Sequence, residues 1–416
     1  MTSICFYFQV HQPYRIRNYS FFEIGESHFY EDEAKNRAVL DKVAEKCYLP
    51  ANRKMLELIH RHQGRFRIAY SISGTALEQF AKYRPDVLRS FIELSRTGCV
   101  EFLSETYAHS LSFIFSREEF KRQVAKHREA IRGYFGQDPA VFRNTELIYN
   151  NELAVFLEQM GYKAVLCEGV DRLLGTRSPN YLYRPVGTRQ LRVLLKNYRL
   201  SDDIAFRFSD KGWKEFPLTA DKFRDWVHAI AGNGETVNLF MDYETFGEHQ
   251  WESTGIFNFL DHLPGEILRH PDFDFKTPSE VVKTYPARDF YDAHSFISWA
   301  DTERDLSAWQ SNSMQHEAIN RIYSIEKDIL ACGDEDLLLI WERLQTSDHF
   351  YYMCTKFWSD GDVHKYFSPY DSPYEAYMFY MNVFSDLECT LKDRKKARLR
   401  KPRLLVPVTG EKELVA

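Results

Sequence analysis

Residues 84–109 read RPDVLRSFIELSRTGCVEFLSETYAH. Arg84–Thr97 carries apolar residues at helical spacing and stops at Gly98, a residue that takes up the left-handed end of a helix without strain. Cys99–Ser104 is a short β-rich run, and as it ends the sequence turns polar through Glu105, Thr106 and His109. The order is helix, glycine, strand, polar loop. Working outward, the same order recurs. Further β-rich runs lie at Ile4–Val10, Phe66–Ser71, Val141–Asn144, Ala164–Cys167, Val193–Tyr198 and Val237–Met241, which makes seven in all. Helical stretches separate most of them. Ser116–Tyr134 opens with the capping-box pattern SREE and aligns Phe120, Val124 and Ile131 on one face, Glu152–Met160 stops at Gly161, and a helix follows Asp221. Alternating β and α elements of this length imply a parallel sheet, and seven units imply an α/β fold whose sheet closes into a barrel.

After Pro286 the pattern changes to long helical stretches with few strands, at Arg304–Ile329, Asp334–Leu344 and Tyr374–Leu391. No Gly/Ser linker intervenes. The expected organisation is a barrel over residues 1–285 and a helical region over 286–416 packed against it. A chain of 416 residues is long enough for such an arrangement.

Composition narrows the function classes. The chain is 44% hydrophobic and 27% charged, as in ordinary globular proteins. Its net charge is −6, which speaks against a nucleic-acid partner. The one basic stretch, Lys392–Lys401, is expected to be a solvated helix face or tail. No apolar run approaches the ~20 residues that cross a bilayer, so no membrane partner is expected. The N-terminus lacks the basic start of a signal peptide, and seven scattered Cys residues form no C-x-x-C pair. A reducing, cytoplasmic setting is the expectation.

In a parallel barrel the C-terminal strand ends converge on one rim and carry the chemistry. The first strand ends in His11-Gln12-Pro13, the third runs to Glu105 and His109, and the fourth delivers Arg143-Asn144-Thr145-Glu146. The sixth is read as ending in Ser201-Asp202-Asp203 and the seventh in Asp242-Tyr243-Glu244. Glu146 and Asp242 (or Glu244) thus face each other across the mouth. Two carboxyls astride a scissile bond are what glycoside hydrolysis needs. An ordinary rim ion pair between Glu146 and Arg143, with Asp242 capping a turn, explains the same residues equally well. His11 reads as a structural histidine or a sugar-orienting one. Trp299, Asp301 and Trp309 read equally as packing between barrel and helices or as a sugar-stacking subsite. None of the 14 His residues shows the H-x-x-H or H-x-x-x-H spacing of a metal site, so no metal is expected. Neither G-x-G-x-x-G, a P-loop nor a serine elbow occurs, so no cofactor is expected either.

Taken in order, these motifs resemble glycoside hydrolase family 57, the α-amylase and glucanotransferase family. The resemblance rests on His11-Gln-Pro13, Gly98–His109, Phe142–Tyr149 with Glu146, Leu239–His249 with Asp242-Tyr-Glu244-Thr-Phe-Gly247, and Ser298–Asp301 through Trp309 and Asn312. It implies an incomplete (β/α)7 barrel followed by a helical region. It also implies double displacement with retention, in which Glu146 is the nucleophile, Asp242 the acid/base, and Glu244 a binding or orienting carboxylate. His11, Gln12, His109, Arg143, Trp299, Asp301 and Trp309 become substrate-binding candidates. The implied substrate is an α-1,4-glucan or maltooligosaccharide, cut by hydrolysis or transferred as by a 4-α-glucanotransferase. A metal-dependent deacetylase on a related barrel would need a His pair. A glucan-binding scaffold without catalysis would not need both carboxyls. Two departures stand out. Arg143-Asn144 occupies a segment that is tryptophan-rich in some members, and Ser110 follows His109 where proline is frequent. The chain is short for the family's branching enzymes, which favours hydrolysis.

Overall fold

The computed structural model describes residues 1–356 and 367–400. Among the described residues ten strands occur: β1 (Thr2–Val10), β2 (Ile68–Ile72), β3 (Val100–Phe102), β4 (Val141–Arg143), β5 (Ala164–Glu168), β6 (Tyr183–Pro185), β7 (Arg192–Lys196), β8 (Thr236–Asp242), β9 (Phe273–Phe275) and β10 (Asp289–Tyr291). β3, β2, β1 and β8 pair in that order, all parallel, and β4, β5 and β7 form a second parallel set. Two seams join the sets. A parallel bridge links Ser104 to Phe142, and Asn197 N donates to Asn238 O at 2.9 Å while Asn238 Nδ2 donates to Leu195 O at 2.8 Å. The result is the expected incomplete (β/α)7 barrel, with the helical region behind it.

Three short strands went beyond the sequence reading. β6 lies antiparallel to β7, β10 extends β6, and β9 lies beside the start of β1. Each is three residues long, too short to display an alternation. Other local expectations also change. Ser201–Asp203 is not a strand end but lies within the helix Tyr198–Ala205, because Asn197 caps that helix through Leu200 N. Ser116 caps its helix through Glu119 N, but Glu119 turns away to Arg122 and Gln123, so the capping box is only half made. The stretch Arg304–Ile329 divides into Ser307–Gln310, Ser313–Ser324 and Glu326–Cys332, since Asn312 starts a new helix with its own capping box and Ile325 breaks the next turn.

Side chains alternate between the two faces of a strand, and that alternation organises the interior. Tyr7, Ala69, Leu103, Val141, Leu166, Leu194 and Phe240, one from each ring strand or its continuation, pack into a single apolar cluster inside the barrel. Two residues further along each of those segments the same face turns polar: Gln9, Ser71, Glu105, Arg143, Glu168, Lys196 and Asp242. The barrel floor is therefore oil-like, and its mouth carries charges of both signs.

The strands' outer faces pack against helices, and a separate core holds the helical region together around Trp309, Trp341, Phe350 and Tyr380. That core includes Ile16, Tyr19 and Tyr30 from the loop after β1, which ties the two regions. The basic stretch runs along the helix Pro373–Arg400. Arg394 and Lys395 pair with Asp334 and Asp328, and Lys401 lies outside the described residues.

Candidate active site

Glu146 is not delivered by the strand itself. β4 ends at Arg143, and Glu146 follows on a tight turn with φ 56° and ψ 26°. That conformation is uncommon for a residue with a Cβ and persists only where the surroundings enforce it. His109 (φ 53°) and Asp301 (φ 54°) share the positive φ. Trp299 supplies the enforcement at Glu146: its backbone N donates to Glu146 O at 3.2 Å, and its indole Nε1 donates to Glu146 Oε2 at 2.7 Å. Trp299 reaches that point because Tyr149 and Ile297 exchange two backbone hydrogen bonds, both at 2.9 Å, pinning residues far apart in sequence.

His109 holds the other oxygen. Its Nε2 lies 2.9 Å from Glu146 Oε1, and its Nδ1 lies 2.7 Å from Glu105 Oε2. Burial disfavours a charged imidazole, but bonds to the two carboxylates outweigh it and push His109 up to about 9. The same bonds drive Glu105 down to about 2 against its own burial. At Glu146 burial pushes upward, and the bond and charge of His109, the charge of Arg143 and the indole bond together leave it below the usual glutamate range. An ionised Glu146 is thus gripped at both oxygens.

His11 stacks on His109 with ring centroids 4.1 Å apart and planes 19° apart. Both of its nitrogens are engaged, Nδ1 with Ser73 Oγ at 2.7 Å and Nε2 with Asp348 Oδ2 at 2.9 Å. Burial and the neighbouring His109 charge lower its pKa, against the charge and bond of Asp348. Its nitrogens being occupied, it supports His109 through its ring face. Asp348 comes from the helical region, where Ser347 N also donates to His109 O at 3.0 Å.

Asp242 ends β8 in register with Gln9. Burial, then the charge of Glu146, push it up to about 6, opposed by Arg143 and Lys196. Glu244, two residues on, accepts from Tyr48 OH, which in turn accepts from Gln12 Nε2 at 3.0 Å. Burial and the Asp242 charge push Glu244 up to about 8. Gly247 in the same segment has φ 112°, and a Cβ there would lie 1.9 Å from Lys46 O, so only glycine fits. Gln12 and Glu244 therefore belong to one buried cluster around Tyr48, beside Asp242.

The remaining candidates divide. Arg143 is fully buried, and none of its guanidinium nitrogens has a hydrogen-bond partner among the described residues, so it forms no rim ion pair with Glu146. Asp301 is tied to Lys356 at 3.3 Å. Trp309 is 1% exposed in the helical core beside Tyr351, so its faces are covered by protein rather than open to a cleft. The sequence places Glu105 on the rim without a role and assigns none to Asp348, Lys196 or Glu168. Lys196 Nζ lies 3.0 Å from Asp202 and 3.5 Å from Glu168. Counting by two from Leu166 and Leu194 reaches Glu168 and Lys196, and the i, i+4 spacing of Glu105 and His109 was equally readable. Asp348 carried no such signal.

Two carboxyls in contrasting environments at a barrel mouth are the equipment for acid/base-assisted bond cleavage. Comparison with known proteins agrees with that chemistry. The sequence profile described as glycosyl hydrolase family 57 matches residues 5–294. A protein of Methanocaldococcus jannaschii named "Putative alpha-amylase" is 44% identical over 407 residues, covering 94% of this chain and 85% of its own. Among solved structures, a GH57-type branching enzyme from Pyrococcus horikoshii superposes with TM-score 0.71 at 16% identity, covering 95% of this chain and 91% of that one. A 4-alpha-glucanotransferase from Thermococcus litoralis does so with TM-score 0.61 at 15% identity over 84% of this chain, which spans only 56% of that enzyme. At these identities the structures speak for the fold alone. Chain length also loses its force against branching, since a branching enzyme is covered almost entirely. The profile match and the 44% identity across nearly the whole chain carry the conclusion that this protein is a glycoside hydrolase belonging to glycosyl hydrolase family 57.

Proposed function

We propose that the protein hydrolyses α-1,4-glucans with retention, Glu146 acting as nucleophile and Asp242 as general acid and base. The observation that carries this reading is the opposite treatment of the two carboxyls: Glu146 is held ionised, while Asp242 is pushed up to about 6. In the first step Glu146 attacks the anomeric carbon and Asp242 gives its proton to the departing glycosidic oxygen, leaving a glycosyl ester on Glu146. In the second, Asp242 takes a proton from water, the water oxygen attacks the anomeric carbon, and the ester bond breaks to restore Glu146. The His109 cation and the Trp299 N–H stabilise Glu146 as a leaving carboxylate. The name of the Methanocaldococcus jannaschii relative favours α-glucan as substrate, and hydrolysis over transfer.

Incubation with maltoheptaose tests the reading, with product lengths resolved by chromatography and the first-formed anomer by proton NMR. Shorter products born as the α-anomer are expected, with kcat/KM falling as pH rises through about 6. β-Anomeric products would overturn the double displacement. Products longer than maltoheptaose would shift the assignment to transfer, where a sugar hydroxyl replaces water.

A further inference from the structure

Arg143 belongs to the polar ring at the barrel mouth, and the reaction does not by itself explain its placement. It is among the largest fully buried side chains, and its Nε, Nη1 and Nη2 have no hydrogen-bond partner among the described residues. A guanidinium buried with no bond made is costly unless opposite charge surrounds it. Opposite charge does surround it. Its field reaches Glu105 beyond β3, Glu146 beyond its own strand, Asp242 on β8 and the Tyr7 hydroxyl on β1. The nearby cations are Lys196 of the same ring and His109 of the loop after β3, and Lys196 is held by Glu168 and Asp202, with Arg304 beyond. One contact is specific. Arg143 Cζ lies 4.9 Å from the centroid of the Trp299 ring, and Lys196 Nζ lies 5.4 Å from it. A cation beside an indole draws density from the ring and strengthens its N–H as a donor. That N–H is the one given to Glu146 Oε2.

We propose that Arg143 is a positioning residue of the reaction. It holds the Trp299 indole that grips Glu146, and it supplies a positive field shared by both carboxyls. It does so without touching substrate, because its nitrogens are sealed from solvent. The assignment rests on the reading of Glu146 and Asp242 as the reacting pair. It accounts for an arginine at the end of β4 in a way that simple packing does not, since an apolar side chain of similar volume would fill the space without the cost of a buried charge. Removing the cation favours the protonated form of both carboxyls. The acid limb of the pH profile, which needs Glu146 ionised, and the alkaline limb, which needs Asp242 protonated, therefore both move to higher pH.

The test compares Arg143→Met and Arg143→Lys with the wild type in two measurements. One is the pH profile of kcat/KM on maltoheptaose. The other is a substrate-free NMR titration of carboxyl-labelled protein, with the Asp242 resonance identified by its loss in Asp242→Asn. In the methionine variant both limbs and the Asp242 titration are expected to move upward, with kcat/KM at the wild-type optimum reduced ~10-fold or more. The lysine variant keeps the charge and is expected to keep both limbs in place. A folded methionine variant with limbs and titration at wild-type pH would overturn the proposal. If the methionine variant does not fold, lysine decides: unmoved limbs support the field, and displaced limbs overturn it. A wild type without glucan turnover would sink the functional reading alone, because the Asp242 titration still judges Arg143.

Discussion

The two sides of the barrel mouth treat the same kind of side chain in opposite ways. On the Glu146 side a half-buried carboxyl is met by His109, the Trp299 N–H and the Arg143 charge, and its proton affinity falls. On the Asp242 and Glu244 side burial and a second carboxyl outweigh the Arg143 and Lys196 charges and the Tyr48 hydroxyl, and affinities rise to about 6 and about 8. Burial is the largest influence on both sides, and it acts in the same direction on each. The difference lies in what the loops bring: a cation and an N–H on one side, a hydroxyl on the other. A carboxylate at a strand end has no role until its neighbours assign one.

The sharpest way to break that comparison is to remove each carboxyl's charge without changing its shape. Glu146→Gln should lower kcat by roughly 10⁴-fold or more and Asp242→Asn by about 10³-fold, both in folded protein as judged by circular dichroism. Near wild-type turnover in either variant would mean that the asymmetry is incidental.

A smaller effect is expected from loosening the grip on Glu146. His109→Gln keeps a hydrogen-bonding side chain but loses the cation, so turnover should fall by about 10²-fold. Because the charge that lowers Glu146 is gone, the acid limb should move to higher pH. An acid limb at its wild-type position would show that His109 does not set the ionisation of Glu146.

The smallest effect tests the other side through stability. The folded-state pKa of Glu244 lies above its unfolded value, so the folded protein holds that proton more tightly. The resulting stabilisation is complete below the unfolded pKa and is lost as pH rises through about 8. Glu244→Gln has no proton to lose. Its unfolding free energy, read from denaturant melts, should therefore gain on the wild type from pH 5 to pH 9, by on the order of 1 kcal/mol or more at the alkaline end. A difference that stays constant with pH would show that Glu244 is not a protonated buried carboxyl.

Several features could be read directly because they are local. The seven β-rich runs and the switch to helices after Pro286 depend on periodicity and on backbone preferences that each segment carries with it, whereas the helix expected to stop at Gly98 already ends at Ser95, capped at Arg96, and Gly98 serves the bend that follows. The approach of β1, β4 and β8 to one mouth follows from strand order in a parallel barrel, which is why Glu146 and Asp242 could be named together. The polar ring was legible in principle too, since it stands two residues beyond the apolar layer on every ring strand.

Only the tertiary structure decided how that ring is wired. That His11 spends both nitrogens on Ser73 and Asp348 depends on a contact spanning more than 330 residues. That Trp299 grips Glu146 while Trp309 disappears into the helical core turns on which of two nearby indoles the Tyr149–Ile297 bridge aims inward. Arg143 looked in sequence like an ordinary partner for Glu146 three residues away. Strand geometry buries it in the polar ring instead, while the turn at residues 145–147 carries Glu146 back to the Trp299 indole. Side-chain chemistry is written in the chain. Burial, and the charges that meet there, arise only when distant segments share a volume from which water is excluded.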